Sequence, residues 1–313
     1  MLIIVLEERV LPTEFETCGS PWEITFSENG HHLLSVSNEA VQVWQVKDRR
    51  LAATLDEDIL GFMNCLAVSK DGKSIAAGTN LAGGVYVWDA KTYEQIFWRH
   101  DFQPHTAALS LGYIHALDFS PDSAQLVVGS NKCYVVVWDL TTHKRVQTLH
   151  LADSVYAVKY SPRGNRIATA TPDSTQIWDS KTGQLLAEGD GGLISQCNAA
   201  LVWSNNHLFV LSHDKIKELD ASTGSTVSEW LVPDSNKSSC IALPKHGEFI
   251  AYATNRTITF WDTSTHSQLA LIQHHRDIRS IAFSSDDRLL AIGRGAGISI
   301  KRLFYSIVSI MCR

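Results

Sequence analysis

Val87-Trp88-Asp89, Val137-Trp138-Asp139 and Ile177-Trp178-Asp179 are three copies of one tripeptide in a chain of 313 residues. Complete or altered, the pattern recurs at intervals of 40 to 50 residues along most of the sequence. The remaining copies are Val43-Trp44-Gln45, Glu218-Leu219-Asp220 and Phe260-Trp261-Asp262. A fixed period of this size is typical of a chain built from one repeated supersecondary unit.

A second marker runs in phase with the tripeptide and has the chemistry of a tight turn. Its clearest copy is Phe119-Ser120-Pro121-Asp122-Ser123, in which Pro presets φ and Asp can cap the turn. Four more clear copies begin at Phe26, Val68, Tyr160 and Phe283, and two altered copies begin at Val202 and Leu243. Seven turns of one kind predict seven units.

Short apolar runs separate the two markers. Examples are Gln125-Leu126-Val127-Val128 and Arg288-Leu289-Leu290-Ala291-Ile292, and turn residues bound each run, which favours strands. After each Trp, a polar turn leads into another strand-like run, such as residues 144–149. Each unit is therefore predicted to contain four strands, and the chain is predicted to be all-β.

On these residues the chain resembles the WD-repeat family, with Ser120-Pro121-Asp122 before Trp138-Asp139 as the strongest match. The resemblance covers nearly the whole chain and implies a seven-bladed β-propeller of four-stranded antiparallel blades around a central channel. The repeats of this chain are diverged, and the array resembles those found in fungal multidomain signalling proteins. We expect one WD-repeat propeller domain over residues 1–313, with blades at 16–56, 57–97, 108–149, 150–188, 190–230, 232–272 and 273–303.

The last blade needs a further strand to close the ring, which WD-repeat proteins usually take from their N-terminal segment. Residues 9–15 and residues 303–310 both suit that position, and we favour the N-terminal segment. The other segment would then pack as an additional edge strand. The last blade is also altered at the tripeptide, because Lys301 stands where Trp is expected.

The resemblance further implies a His–Ser–Trp–Asp hydrogen-bond relay within each blade. Ten residues before the turn serine, where the relay has His, only His274 matches. The Asp position, six residues before Trp, holds Asn38, Ala82, Lys132, Pro172 and Asn255. No blade has the complete relay, so apolar packing must supply most of the stability.

Composition narrows the class of partner and the compartment. The formal net charge of −6 and the pI near 6.1 argue against a general nucleic-acid surface, which is usually basic. The six cysteines are scattered without a CxxC pair, which favours free thiols in a reducing compartment, the cytoplasm or alternatively the nucleus. Apolar runs at both chain ends are too short for a signal peptide or a membrane span, so no membrane association is expected.

Motifs of catalysis are missing from the sequence. It contains no GxSxG, no HExxH, no glycine-rich phosphate loop and no EF-hand spacing, so we expect no enzyme activity, no cofactor and no metal. The predicted function is a non-catalytic scaffold for a protein or peptide partner, acting as a monomer or within a larger complex. The alternatives are a reader of histone-tail-type peptides and a propeller enzyme with a site at the channel mouth.

Candidate binding residues follow from the geometry that the resemblance implies. The residue five positions before each turn serine should begin the innermost strand near the channel mouth, which selects Trp22, His115, Tyr156 and Arg279. Aromatic residues and Arg dominate binding hot spots, although packing between blades would equally explain Trp22 and Tyr156. An insertion at residues 99–106 adds Phe102 as a fifth candidate, because surface loops often carry function.

Overall fold

The computed structural model of the chain describes residues 2–7, 14–17, 21–37, 40–55, 59, 61–80, 83–99, 112–190, 200–204, 207–212, 214–232, 240–295 and 297–307. These residues form 29 β-strands and no α-helix. The strands make seven separate antiparallel sheets, and six of the sheets are four consecutive strands in chain order. Each sheet is one blade.

Every blade uses its strands in the same order. The first strands are β3 (Glu23–Phe26), β7 (Met63–Val68), β11 (Ile114–Phe119), β15 (Ala157–Tyr160), β19 (Leu201–Trp203), β23 (Cys240–Ala242) and β27 (Ile278–Phe283). The second strands are β4 (His32–Val36), β8 (Ser74–Thr79), β12 (Gln125–Ser130), β16 (Arg166–Ala170), β20 (His207–Ser212), β24 (Phe249–Thr254) and β28 (Leu289–Arg294). The third strands are β5 (Val41–Gln45), β9 (Val85–Asp89), β13 (Tyr134–Asp139), β17 (Ser174–Asp179), β21 (Lys215–Asp220), β25 (Thr257–Asp262) and β29 (Gly297–Ile307).

Outer strands complete the blades. In blades 1 to 6 they are β6 (Leu51–Leu55), β10 (Gln95–Arg99), β14 (Lys144–His150), β18 (Leu185–Asp190), β22 (Thr226–Leu231) and β26 (Gln268–Gln273). The first strands contact one another in a closed cycle, from β3 through β7, β11, β15, β19, β23 and β27 back to β3. They are therefore the inner ring of a propeller, and the prediction of an all-β, seven-bladed β-propeller is confirmed.

The N-terminal segment supplies the outer edge of blade 7. Strand β1 (Leu2–Glu7) pairs antiparallel with residues 302–307 of β29, and β2 (Glu14–Glu16) pairs with residues 297–299 of the same strand. Of the favoured closing segment, residues 14–15 belong to β2, whereas residues 9–13 lie outside the described part of the chain. Residues 303–307 extend the third strand and pair with β1. Both chain ends thus contribute to the closing blade.

The core lies between blades, where the apolar runs of neighbouring sheets pack face to face. One buried cluster joins residues of blades 2 and 3, among them Val87, Phe97, Leu126 and Val136. The third strands are buried on both faces, which explains their near-continuous apolar sequence, as in Val135-Val136-Val137. Burial of this kind is the main source of stability, at about 25 cal/mol per Å² of apolar surface.

Parts of the relay are present as pairs. The Trp178 Nε1 donates to Thr169 Oγ1 at 2.9 Å, and the Trp44 Nε1 donates to Ser35 Oγ at 3.4 Å. In blade 7, Lys301 pairs with Leu290 just as Trp138 pairs with Leu126 in blade 3. The register therefore places Lys301 at the Trp position.

The two sequence markers are both turn motifs held by side-chain hydrogen bonds. In the first–second turn of blade 3, Ser120 Oγ accepts from the Gln125 N–H at 2.9 Å and donates to Asp122. In the third–fourth turn, the tripeptide's Asp139 accepts from the N–H groups of Thr141 and Thr142. The Asp of the repeat is thus a turn cap, with the same role for Asp89, Asp179, Asp220 and Asp262.

Replacing Asp220 by Asn should produce a stability loss that depends on pH. Hydrogen bonds from the Ser222 hydroxyl and from the Thr223 and Ser222 N–H groups lower the pKa of Asp220 to about 2. The unfolded value is about 3.9. A lowered pKa in the folded state stabilises the fold above the unfolded pKa, and this contribution is lost as pH falls through the folded one.

We therefore expect Asp220→Asn to lower Tm at pH 7, with the difference from wild type shrinking between about pH 4 and pH 2. Thermal unfolding followed by circular dichroism across this pH range measures the effect. Asp173→Asn, at an exposed carboxylate of another turn, is the control and should show no such convergence. A constant Tm difference at all pH values would contradict the capping role of the carboxylate.

Candidate functional site

The candidate residues lie on the face where the inner strands begin, which we call the upper face. There, the start of each inner strand adjoins the turn between the second and third strands. The Trp22 N–H donates to the Val36 carbonyl at 2.8 Å, and the Tyr156 N–H donates to the Ala170 carbonyl at 2.9 Å. Both acceptors are the last residues of second strands. Trp22 and Tyr156 therefore lie beside the turns between the second and third strands of their blades.

In three blades, the residue five positions before the turn serine sits at a β-bulge. The antiparallel register shifts between Met63 and Cys65, between Ile114 and Ala116, and between Ile278 and Ser280. The extra residues are Asn64, His115 and Arg279. A bulge leaves its extra residue outside the ladder and re-aims the side chain.

Trp22 and Arg279 form a pair across the junction of blades 1 and 7. The Arg279 guanidinium carbon lies 4.6 Å from the centroid of the Trp22 ring. Trp22 keeps 42% of its surface exposed, although a core aromatic would be nearly covered. A cation over an indole face is favourable by about 0.5–1 kcal/mol at exposed sites, so each residue orients the other.

His115 and Tyr156 form a second pair across blades 3 and 4. Their ring centroids are 4.8 Å apart, and both side chains are half-buried. Burial lowers the pKa of His115, so its ring is neutral at pH 7. Tyr156 also packs against the buried cluster that joins blades 4, 5 and 6. This residue therefore combines packing with partial exposure.

Two exposed aromatic residues on the upper face escaped the sequence analysis. Phe62 is 56% exposed and Tyr113 is 50% exposed, each one residue before an inner strand. The Phe62 N–H donates to Asn80 Oδ1 at 3.1 Å, and the Tyr113 N–H donates to Asn131 Oδ1 at 2.9 Å. Both stand seven residues before the turn serine, and reading that second offset would have found them.

On the upper face, the area where the inner strands of four consecutive blades begin carries these residues. We call it the aromatic surface, and its members are Trp22, Phe62, Tyr113, His115 and Tyr156. Arg279 borders it on the blade 7 side. The Asn64 amide donates to the Ile114 carbonyl at 3.4 Å, which links blades 2 and 3 beneath it. The remaining candidate, Phe102, and most of the insertion at 99–106 lie outside the described residues.

The inner strands carry a charged cluster below the upper face. Lys159 Nζ lies 3.6 Å from Asp118 Oδ1, the Tyr160 N–H donates to Asp118 Oδ2 at 2.8 Å, and the Leu66 N–H donates to Glu23 Oε2 at 2.9 Å. Burial alone would lower the pKa of the Lys159 ammonium, but the Asp118 and Glu23 carboxylates outweigh it and raise that pKa. Lys159 is therefore a cation at neutral pH, as suits an ion pair between blades and not a general base.

A Ser and a Glu of blade 5 meet a His of blade 6. The Ser228 hydroxyl donates to Glu218 Oε2 at 2.6 Å, and His266 Nε2 of blade 6 lies 3.2 Å from Ser228 Oγ and 3.6 Å from the same carboxylate oxygen. One histidine nitrogen faces both partners, whereas a nucleophilic triad needs the base to be oriented through its other nitrogen. This cluster fastens blade 5 to blade 6.

Among the described residues, no group of three or more His, Cys, Asp or Glu side chains is placed to hold a metal ion. No helix in the described ranges has the length and apolar character of a membrane span.

Comparison with known proteins identifies the family. Residues 28–221, more than half of the chain, match the family model described as Nucleolar protein 10-like, N-terminal domain. Residues 266–298 match the model of the WD domain, G-beta repeat. The chain belongs to this WD-repeat β-propeller family. The resemblance drawn from the tripeptides and turns is thereby confirmed.

Individual relatives share about a quarter of their residues with the chain over the matched region. The chain is 25% identical over 240 residues to Apoptotic protease-activating factor 1 of Mus musculus, a match that covers 75% of this chain and 18% of the relative. It is 27% identical over 253 residues to Periodic tryptophan protein 2 homolog of Dictyostelium discoideum, covering 78% and 26%. WD repeat-containing protein 18 of Danio rerio is 23% identical over 290 residues, covering 81% and 63%. The match thus spans less than two thirds of each of these relatives.

Proposed function

We propose that this WD-repeat propeller is a non-catalytic scaffold that docks a protein or peptide partner on the aromatic surface of its upper face. The observation that carries the proposal is the exposure of Trp22, Phe62 and Tyr113 on one face, from three consecutive blades. Aromatic residues dominate binding energetics when they anchor in a partner. Because they stand at the starts of inner strands, docking requires little reorganisation of the propeller.

The chemistry of the titratable clusters supports a non-catalytic role. A catalytic lysine or cysteine usually has a lowered pKa. Here, the pKa of Lys159 is raised, and burial followed by the Glu23 charge raises that of the Cys65 thiol. Both groups stay protonated at neutral pH. Neither of these two groups is activated for catalysis, which favours the scaffold over the propeller enzyme.

A reader of histone-tail-type peptides is less favoured than a scaffold for other protein or peptide partners. Reading a methylated lysine needs an aromatic cage open to an external cation. The ring of Trp22 already stacks with the internal guanidinium of Arg279. Several arginines also border this side of the surface, which disfavours a basic peptide.

We propose the nucleus, in place of the cytoplasm, as the compartment, because the matched family is described by a nucleolar protein. Nucleic acid and membranes are not proposed as partners, since the net charge is −6 and the aromatic surface carries no cluster of lysines. The partner is a protein or peptide, bound by a monomer or within a larger complex.

The double variant Phe62→Ala/Tyr113→Ala should lose partner binding by at least about tenfold, because it removes two exposed anchors without touching the core. Crosslinking mass spectrometry of the tagged chain from its source cells would identify partners whose crosslinks map to the upper face. Affinity for those purified partners would then be measured with wild type and variant.

The matched control is Val227→Ala/Leu231→Ala, which removes two exposed apolar side chains from an outer strand of blade 5. It should bind like wild type. Equal affinities of wild type and the Phe62/Tyr113 variant for every crosslinked partner would refute the aromatic surface as the docking site.

A further inference from the structure

The upper face of blades 6 and 7 carries a concentration of positive charge beside Trp22. We call it the basic patch, and its members are Arg256, Arg276, Arg279 and Arg294, with His275 beside them. The segment 274–279 brings them together, because the His274 N–H donates to the Arg256 carbonyl at 2.6 Å and the Ile278 N–H donates to the Asn255 carbonyl. Arginines from two turns, one inner strand and one second strand thus lie on the same side of blades 6 and 7.

Contacts within the patch hold the guanidinium groups in place. Arg294 is only 7% exposed, and its Nη1 lies 3.0 Å from the Nε2 of His275. Arg276 packs its Nη1 over Gly295, where an added Cβ would approach it to 3.2 Å. Arg279 projects from a bulge and stacks on Trp22. Ordered guanidinium groups lose little entropy when they bind a ligand.

The patch has an excess of positive charge over its own carboxylates. Among the described residues of segment 274–279 and the adjoining turns, the one carboxylate is Asp277, and it pairs with Arg256 Nε at 3.0 Å. No described carboxylate forms an ion pair with Arg276 or Arg279 within 4.0 Å. The remaining arginines give a local positive field in a protein whose net charge is −6.

We propose that the basic patch binds an acidic segment of a protein partner, while the adjoining apolar side chains of that segment cover Phe62 and Tyr113. This inference rests on the proposed docking at the aromatic surface and adds the chemistry of the partner. Stacking on Trp22 leaves the N–H edge of Arg279 free to meet a carboxylate in the bidentate geometry that guanidinium favours. Charge complementarity then fixes the direction of the bound segment.

A protein partner suits this arrangement better than single-stranded nucleic acid. Nucleic acid carries a phosphate at every nucleotide and requires positive charge along its whole path. In blades 1 to 4, the residues of the aromatic surface are uncharged, including the neutral His115. The positive charge is confined to one end, which fits a peptide with a charged end and an apolar remainder.

Fluorescence anisotropy with defined probes tests the proposal on the full chain. The first probe is a labelled peptide pool with Glu residues at one end, followed by positions that vary among Leu, Phe and Tyr. Two further pools carry phosphoserine or Lys in place of Glu. The fourth probe is an oligouridine. We expect the Glu or phosphoserine pool to bind at least about tenfold more tightly than the Lys pool, and binding to weaken as salt is raised. The two acidic pools distinguish a carboxylate from a phosphate ligand.

Arg276→Glu/Arg279→Glu should reduce acidic-pool affinity at least about tenfold. Arg163→Glu, an exposed arginine in a first–second turn on the opposite face, is the control and should bind like wild type. If the double variant fails to fold, the exposed Arg276→Glu alone provides the same comparison.

Equal binding of the Glu and Lys pools, tighter binding of oligouridine, or acidic binding that survives the arginine substitutions would each overturn the proposal. These outcomes are separable from failure of the docking site itself. If the acidic peptides fail to bind but the Phe62→Ala/Tyr113→Ala variant still loses its crosslinked partner, the aromatic surface remains the docking site. Only the proposal that the partner's segment is acidic is then refuted.

Discussion

Removal of residues 1–16 is expected to lower the free energy of unfolding by at least about 3 kcal/mol, because it strips the outer strands from blade 7. Strand β29 pairs with six residues of β1 and three of β2. Without them, nine of the 11 residues of β29 lose their partners on the outer side. Such an edge is a template for pairing with another chain, so the truncated protein should also associate. Urea unfolding and size-exclusion chromatography measure the two effects.

A peptide of residues 1–16 supplied in trans provides the control for this truncation. It should raise the Tm of the truncated chain and return it to the wild-type elution volume, since it restores the missing backbone pairs. A scrambled peptide of the same composition should do neither. A truncated chain as stable and as monomeric as wild type would show that the N-terminal strands do not close the ring energetically.

Phe249→Ala should destabilise the chain by about 3–5 kcal/mol, the usual cost of truncating a buried aromatic residue. Phe249 is 1% exposed and lies at the junction of blades 6 and 7. Its ring meets Phe260 edge-on at 5.8 Å and Phe283 of the next blade at 5.7 Å. The substitution would leave a cavity between the sheets of blades 6 and 7. The two sheets cannot approach each other to fill it, because the closed ring would then be strained elsewhere.

Urea unfolding gives this change directly, and a Tm lowered by about 5 °C is expected for a chain of this size. Phe62→Ala is the matched control, because it removes the same side chain from a position that is 56% exposed. It should change stability by less than about 0.5 kcal/mol. Similar losses for both variants would mean that packing between blades is not the main source of stability.

The sequence was sufficient for the architecture because the repeat encodes turns and buried strands directly. The Asp of each tripeptide and the Ser of each second marker make local hydrogen bonds, so their spacing reports the blade period without knowledge of tertiary contacts. The same spacing located Trp22, His115, Tyr156 and Arg279 on one face. Even the altered tripeptide at Leu219 occupies the expected strand, since its neighbour Asp220 still caps the turn.

The exposed aromatic residues of blades 2 and 3 were harder to predict, for a physical reason. Phe62 and Tyr113 precede strands in a loop, where apolar periodicity carries no information about burial. The pairing of Trp22 with Arg279 joins residues at opposite ends of the chain, and only closure of the ring brings them together. The shared edge of blade 7 likewise depends on β1 meeting β29, a contact between the two termini that no local pattern reports.

The bulges at Asn64, His115 and Arg279 place these residues outside the backbone ladder of their blades. A residue outside the ladder has no directly opposed partner on the neighbouring strand, so the strand register does not fix its identity. One amide, one imidazole and one guanidinium already occupy the equivalent place in three blades of the same chain. Under the proposed docking, substitutions at positions 64, 115 and 279 therefore change the contacts offered to a partner, and each also changes a contact between neighbouring blades.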